Sequence, residues 1–162
     1  MTTHESRELF VVVALPDPLE VGSTFRRRAW PAHVTLASNF AVDGARDAVL
    51  SAVRGVCAEE PPLEIRFGDE ARFGPRGDIA VQLVESAQIV DLHERLADAV
   101  ERLEGFAAEE PAHWRGGYRP HMTHVPGVVT PAGARSRLVC IANAVMAGSM
   151  ATIISTAALV DA

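Results

Sequence analysis

The feature that most restricts how this chain can fold is a short phrase that occurs twice. Pro31-Ala32-His33-Val34-Thr35-Leu36 has a counterpart in Tyr118-Arg119-Pro120-His121-Met122-Thr123, 88 positions further on when the histidines are compared. In a strand, residues i and i+2 share a face, so each His-x-Thr projects its histidine and threonine together and turns the residue between them inward. Neither copy makes a site alone. Together they call for a fold that brings two distant strands onto one surface.

The rest of the chain supplies elements for such a fold. Leu9 to Leu15 is a short apolar, β-branched run closed by Pro16-Asp17-Pro18, which predicts a buried central strand, with residues 16 to 30 as a loop. His33 to Ala37 predicts a second strand. From Asp43, read as an N-cap, to Cys57 the apolar positions recur at helical spacing. Leu63 to Phe67 and Ile79 to Val84 read as strands around a turn at 73–78. Ala87 to Leu103 carries one apolar face and predicts a helix that ends near Gly105. Residues 105–117 lack a sustained period and predict a long functional loop. A strand over 120–125 follows, then a helix from Thr130-Pro131 to about Asn143, then a closing strand from Ala151 to Val160. The order is that of an α+β protein, with the two His-x-Thr strands early in each half.

Composition narrows the function. The chain has 162 residues, 48% of them hydrophobic and 22% charged, enough for one domain over 1–162 with a substantial core. Its net charge of −6 argues against a protein that coats duplex nucleic acid. Arg26-Arg27-Arg28 reads as a solvated loop. Cys57 and Cys140 are too few and too far apart for a zinc framework and read as reduced thiols in helices. Residues 1 to 8 do not have the pattern of a signal peptide, and the most apolar stretch, 138–160, is interrupted by Asn143, Gly148, Ser149, Thr152, Ser155 and Thr156. A soluble, cytoplasmic monomer without a membrane partner is expected.

Histidine is the side chain whose ordinary pKa lies near neutrality, so two convergent histidines can serve as one base and one acid. That pairing suits in-line displacement at phosphorus. One imidazole takes a proton from water while the other gives one to the departing oxygen. Thr35 and Thr123 would direct hydroxyl donors at the phosphate oxygens without a metal. Which histidine plays which part depends on which ester oxygen leaves.

Two H-x-T segments of this kind, each in a strand and half a small α+β chain apart, resemble the two-histidine (2H) phosphoesterase superfamily, which includes the 2′-5′ RNA ligase-like 2′,3′-cyclic phosphodiesterases. The resemblance implies a bilobal fold, two antiparallel-sheet lobes with flanking helices about a pseudo-twofold axis, and a central cleft where His33, Thr35, His121 and Thr123 meet. It further implies a cyclic phosphodiesterase that needs no cofactor or metal and acts on a small cyclic nucleotide or an RNA end carrying a cyclic phosphate. A 2′-5′ ligase-like activity is part of the same expectation. The second motif departs from the pattern in being followed by His124-Val125-Pro126-Gly127, so its far edge should be irregular.

Other polar residues divide less sharply. His113, Trp114, Arg115, Tyr118 and Arg119 lead into the second motif. They are candidate substrate contacts, an aromatic stacking on a base and an arginine meeting a phosphate. The competing reading has Trp114 and Tyr118 pinning the loop to the core. Phe40 reads as core, and His93, amid Asp91, Glu94 and Arg95, as an exposed helix residue. Asp17, Glu59, Glu60, Glu109 and Glu110 are assigned to solvent. His124 stands at i+3 from His121 and should point to the opposite face, against a shared metal. Two readings from other classes remain: a module that binds a phosphorylated ligand in the same cleft without turnover, and a metal hydrolase built on His121 and His124.

Overall fold

A computed structural model describes residues 7–26, 29–124 and 128–160. Strands β1 (Leu9–Leu15), β2 (Thr24–Arg26), β3 (His33–Ala41), β4 (Leu63–Phe73) and β5 (Ile79–Glu85) are joined by helices α1 (Arg46–Cys57) and α2 (Ala87–Glu101). They are followed by β6 (Ala107–Ala108), β7 (His121–Thr123), β8 (Arg135–Leu138), β9 (Cys140–Ala147) and β10 (Met150–Ala158). The sheet runs β2-β10-β9-β1-β3-β7-β5-β4-β8, with β6 against β3, and all of its pairings are antiparallel. The fold is α+β, as expected, and the two His-x-Thr strands are neighbours in the middle of the sheet.

Both faces of the sheet are covered near its centre, but differently. Val12, Ala14, Val34, Leu36, Met122 and Val84 lie under the helices and meet Val49 and Val53 of α1 and Ile89, Leu92 and Leu96 of α2. Val11, Val13 and Leu15 face the other way and are covered by Trp30, Leu19 and Phe25 from the segment between β1 and β3. This accounts for the unbroken apolar run of β1, which has no solvent face to show. Thr35 pairs with Val13, so the motif residues share the face away from the helices.

Several elements differ from the sequence reading. The helix expected from Thr130 to Asn143 is instead β8 and β9. Alanine-rich Cys140 to Val145 is buried throughout between β1 and β10, and this two-sided pairing outweighs a modest helix propensity. Cys140 therefore lies in a strand, while Cys57 ends α1 as expected. Asp43 does not cap α1, whose N-cap is Ala45; its carboxylate pairs with Arg7 at 2.8 Å. Helix α2 ends at Glu101 and is capped by Ser86, which accepts from the Ile89 N–H. β4 runs on to Phe73, and the expected loop at 16–30 contains β2. Residues 105–117 hold β6 and two short 3-10 turns rather than an open loop. Arg27, Arg28 and Val125 lie outside the described residues.

Phe40 is core, as read: fully buried, it packs on Phe10, Phe106 and, edge-on, Trp114. Phe40→Ala should destabilise the protein by about 3 to 5 kcal/mol in urea unfolding, because those three rings cannot close the space left behind.

Candidate active site

The central pairing sets the geometry. β3 and β7 run antiparallel with His33 opposite Thr123 and Val34 opposite Met122, a register that extends to Thr35 beside His121. Each histidine thus faces the other motif's threonine across one strand gap. Val34 and Met122 are buried beneath, so the pleat presents all four polar side chains on one face.

The two imidazoles are held alike. His33 Nδ1 lies 2.8 Å from the Pro31 carbonyl, and His121 Nδ1 lies 2.8 Å from the Arg119 carbonyl. A carbonyl only accepts, so Nδ1 carries the hydrogen in each ring and the neutral form leaves Nε2 with a free lone pair. Each ring also rests on an aromatic. Trp30 lies 4.9 Å from His33, tilted, and Phe73 meets His121 edge-on at 4.5 Å. Burial is the main cause that lowers both histidine pKa values below the ordinary 6.5, opposed in each case by the bond to the backbone carbonyl. His121 adds a smaller depression of His33, and His113 and Arg119 add one to His121.

A cleft of about 340 Å³ opens beside His121, and its walls include Thr35, Phe73, His113, Tyr118 and Arg119. His33 and Thr123 are not among its walls; His33 is only 9% exposed and sits behind Trp30. The pairing of β1 with β3 slips near Val12, a bulge that puts Ser38 on the cleft side together with Thr35. The Ser38 hydroxyl is buried there with no hydrogen-bond partner among the described residues. Nothing in the sequence pattern marks Ser38, because the signal is a bulge.

The segment before the second motif divides into parts. Arg119 reaches the cleft, with its guanidinium carbon 5.4 Å from the centroid of Phe73. Tyr118 has its ring in the interior and its hydroxyl donating to the Thr35 carbonyl at 2.7 Å. Trp114 is buried against Phe40, Phe106 and His93, which is the pinning role and leaves no face for a base. Arg115 is turned away from the cleft, paired with Glu94 at 2.7 Å, Asp98 at 2.8 Å and Glu101. Gly117 is obligatory, since a Cβ there would stand 1.9 Å from the Ala112 carbonyl oxygen.

His93 corrects the sequence reading most clearly. It is 1% exposed, its Nδ1–H donates to the Leu36 carbonyl at 2.7 Å, and its Nε2 accepts from the Arg115 N–H at 3.0 Å. Its ring stacks on Tyr118 at 3.9 Å. The polar neighbours in sequence, Asp91, Glu94 and Arg95, had hidden that position 93 falls with Ile89, Leu92 and Leu96 on the buried face. Arg115 holds a positive φ of 59°, and the bond to His93 is what fixes that turn. His93 thereby ties α2, the motif strand β3 and the segment leading to His121 together.

His124 bonds Gln82 at 2.8 Å and packs on Phe67. Gln82 pairs with Met122 in register and also donates to the Gly68 and Thr130 carbonyls, while the far edge of the second motif, at 125–127, lies outside the described residues. Glu60 is not in open solvent but pairs with Arg95 at 2.8 Å, and Glu109 accepts from Asn39. Among the described residues no cluster of histidine, cysteine and carboxylate groups has metal-site geometry. Among the same residues no helix is long and apolar enough to cross a membrane.

Comparison with known proteins agrees with this arrangement. A sequence model of the 2′-5′ RNA ligase superfamily matches residues 18–138. No curated protein sequence matches the chain. Among solved structures, TT0787 of Thermus thermophilus is 16% identical, with 93% of this chain and 97% of that one covered at a TM-score of 0.61. E. coli LigT complexed with 3′-AMP is 16% identical over 96% and 99% of the chains at 0.60, and a further phosphoesterase is 14% identical over 96% and 99% at 0.59. At such identities the likeness establishes the fold.

The depressed histidines have a consequence for stability. His33, His93, His121 and His124 all bind protons less readily in the native state than when unfolded, chiefly through burial. The stability they confer is complete above the unfolded pKa of about 6.5 and is lost as pH falls below it. Urea unfolding at pH 7.5 and 5.5 should show lower stability at 5.5. His93→Gln should lose about 1 to 3 kcal/mol at pH 7.5 and show a smaller further loss at 5.5.

Proposed function

Because the chain belongs to the 2′-5′ RNA ligase superfamily of 2H phosphoesterases, we propose that it hydrolyses a 2′,3′-cyclic phosphate, on a small nucleotide or an RNA end, by metal-independent acid-base catalysis. The observation that carries this reading is the matched pair of imidazoles, each with Nδ1–H bound to a backbone carbonyl and Nε2 left for chemistry. In the proposed reaction one Nε2 accepts a proton from water as the water oxygen bonds to phosphorus. The other imidazolium delivers its Nε2 proton to the ribose oxygen as that P–O bond breaks, leaving a phosphomonoester. Thr35 and Thr123 donate hydroxyl hydrogens to the non-bridging oxygens. With an RNA 5′-hydroxyl in place of water the same displacement would form a 2′-5′ diester, the 5′ oxygen bonding to phosphorus as the bond to the ribose 3′ oxygen breaks and that oxygen takes the proton.

The depressed pKa values have a definite effect on this cycle. The free protein needs one imidazole charged and one neutral, so the kcat/KM bell should be centred below pH 6.5. A bound phosphate anion favours the imidazolium, so the kcat bell should lie at higher pH than the kcat/KM bell.

The test is incubation with 2′,3′-cyclic nucleotides, RNA 2′,3′-cyclic ends and ADP-ribose cyclic phosphate, with and without EDTA, with products separated by chromatography. Opening of at least one substrate, unaffected by chelator, is expected. His33→Ala and His121→Ala should each lower kcat by about 10² or more. Tight binding of every substrate with no product would assign the cleft to a non-catalytic binding module instead.

A further inference from the structure

Tyr118 stands where the two motifs are joined beyond their ladder. β3 pairs with β7 at His33 with Thr123 and at Val34 with Met122. The ladder cannot run on through Pro120, which has no N–H and whose carbonyl accepts from the Val84 N–H of β5 at 3.0 Å. Two residues before that proline, the Tyr118 hydroxyl crosses to β3 and donates to the Thr35 carbonyl at 2.7 Å. One residue after Tyr118, the Arg119 carbonyl accepts from His121 Nδ1 at 2.8 Å. A single side chain therefore lies between the threonine of the first motif and the backbone atom that orients the histidine of the second.

Tyr118 is itself held firmly. Its ring lies flat on His93, with 3.9 Å between centroids and 8° between planes. Its N–H donates to the Arg115 carbonyl at 3.1 Å, closing the 3-10 turn that opens with the positive φ of Arg115. His93 cannot follow a loose ring, because it is bonded at both nitrogens, to the Leu36 carbonyl of β3 and to the Arg115 N–H. Packing alone does not require such a bond: Trp114, in the same aromatic cluster, is buried with its Nε1 lacking a partner among the described residues. We propose that Tyr118 is a positioning residue that sets the distance and orientation of His121 relative to Thr35, with His93 as the support for its ring. This deepens the cyclic phosphodiesterase reading and rests on it for the kinetic consequence, whereas the orientation of His121 can be read without turnover. A misplacement of about 1 Å at a reacting group can cost about 10²-fold in rate, so the effect falls on kcat rather than on binding.

The test joins imidazole nitrogen NMR to kinetics in Tyr118→Phe and His93→Gln, with Phe106→Leu as a control that thins the same cluster where Phe106 meets Phe40 and Trp114. At about pH 8, where the rings are neutral, wild-type His33 and His121 should each show the Nδ1–H tautomer. In Tyr118→Phe and in His93→Gln the His121 signal should take on Nε2–H character as the Arg119 carbonyl drifts, while His33, bonded to Pro31 of its own segment, keeps its form. Tyr118→Phe should lower kcat on a cyclic phosphate about tenfold or more, with KM and calorimetric affinity for adenosine 3′-monophosphate within about threefold of wild type. Phe106→Leu should lower the melting temperature yet leave kcat within about twofold and the His121 tautomer unchanged. A His121 tautomer that stays fixed in both Tyr118→Phe and His93→Gln, or an unchanged kcat in Tyr118→Phe, would overturn the proposal. So would a tenfold loss of adenosine 3′-monophosphate affinity with kcat intact, which would make Tyr118 a ligand contact. A wild type that opens no cyclic phosphate would overturn the hydrolytic reading alone, and the tautomer of His121 would then decide the positioning claim.

Discussion

The short antiparallel contact between β3 and β7 is the interaction on which the rest of the structure depends. It joins strands whose histidines are 88 residues apart in sequence, and it consists of the pairs His33 with Thr123 and Val34 with Met122. So brief a ladder is weak by itself. β1 and β5 hold it from either side, and Val34, Leu36 and Met122 seat it on the core beneath. A slip of one residue would drive a histidine into that core and lift an apolar side chain into the cleft, so burial fixes the register. Tyr118 and His93 add polar ties at the same place, to the carbonyls of Thr35 and Leu36, and both carbonyls belong to the first motif strand.

Burial that secures the strands also tunes the histidines. Desolvation pulls both motif pKa values down, and the bonds from Nδ1 to Pro31 and Arg119 limit the fall and orient the rings. In the proposed reaction this arrangement offers two imidazoles to a charged ligand, whose negative charge would favour the proton that one of them needs. His93 shows the same physics put to another use. More deeply buried and bonded at both nitrogens, it has no lone pair left for chemistry and serves as a tie. Of three buried or half-buried histidines next to the cleft, the state of Nε2 separates the two suited to catalysis from the one that is structural.

Much of the site was legible in the sequence because strand periodicity is a rigid rule. It placed His33 with Thr35, placed His121 with Thr123, and turned His124 away toward Gln82. β1 and both helices were visible for the same reason. What failed was local reading where tertiary contact decides. The 130–143 segment reads as a helix but supplies β8, an edge strand paired with β4, and β9, which is buried between β1 and β10. Trp114 and Arg115 stand close to the motif in sequence, yet one is taken by the core and the other by three carboxylates of α2. Ser38 reached the cleft through a bulge, and Arg72 through an extension of β4 beyond its apolar run, and neither leaves a trace in residue pattern.

The central claim is that the two motif histidines work as one unit, and a double-mutant cycle on kcat/KM tests it most directly. If the two act as the proposed acid-base pair, the His33→Ala, His121→Ala double variant should be little worse on a cyclic phosphate than the poorer single variant, since removing either half would already disable proton transfer. Losses that multiply, each histidine contributing its own independent factor, would contradict it.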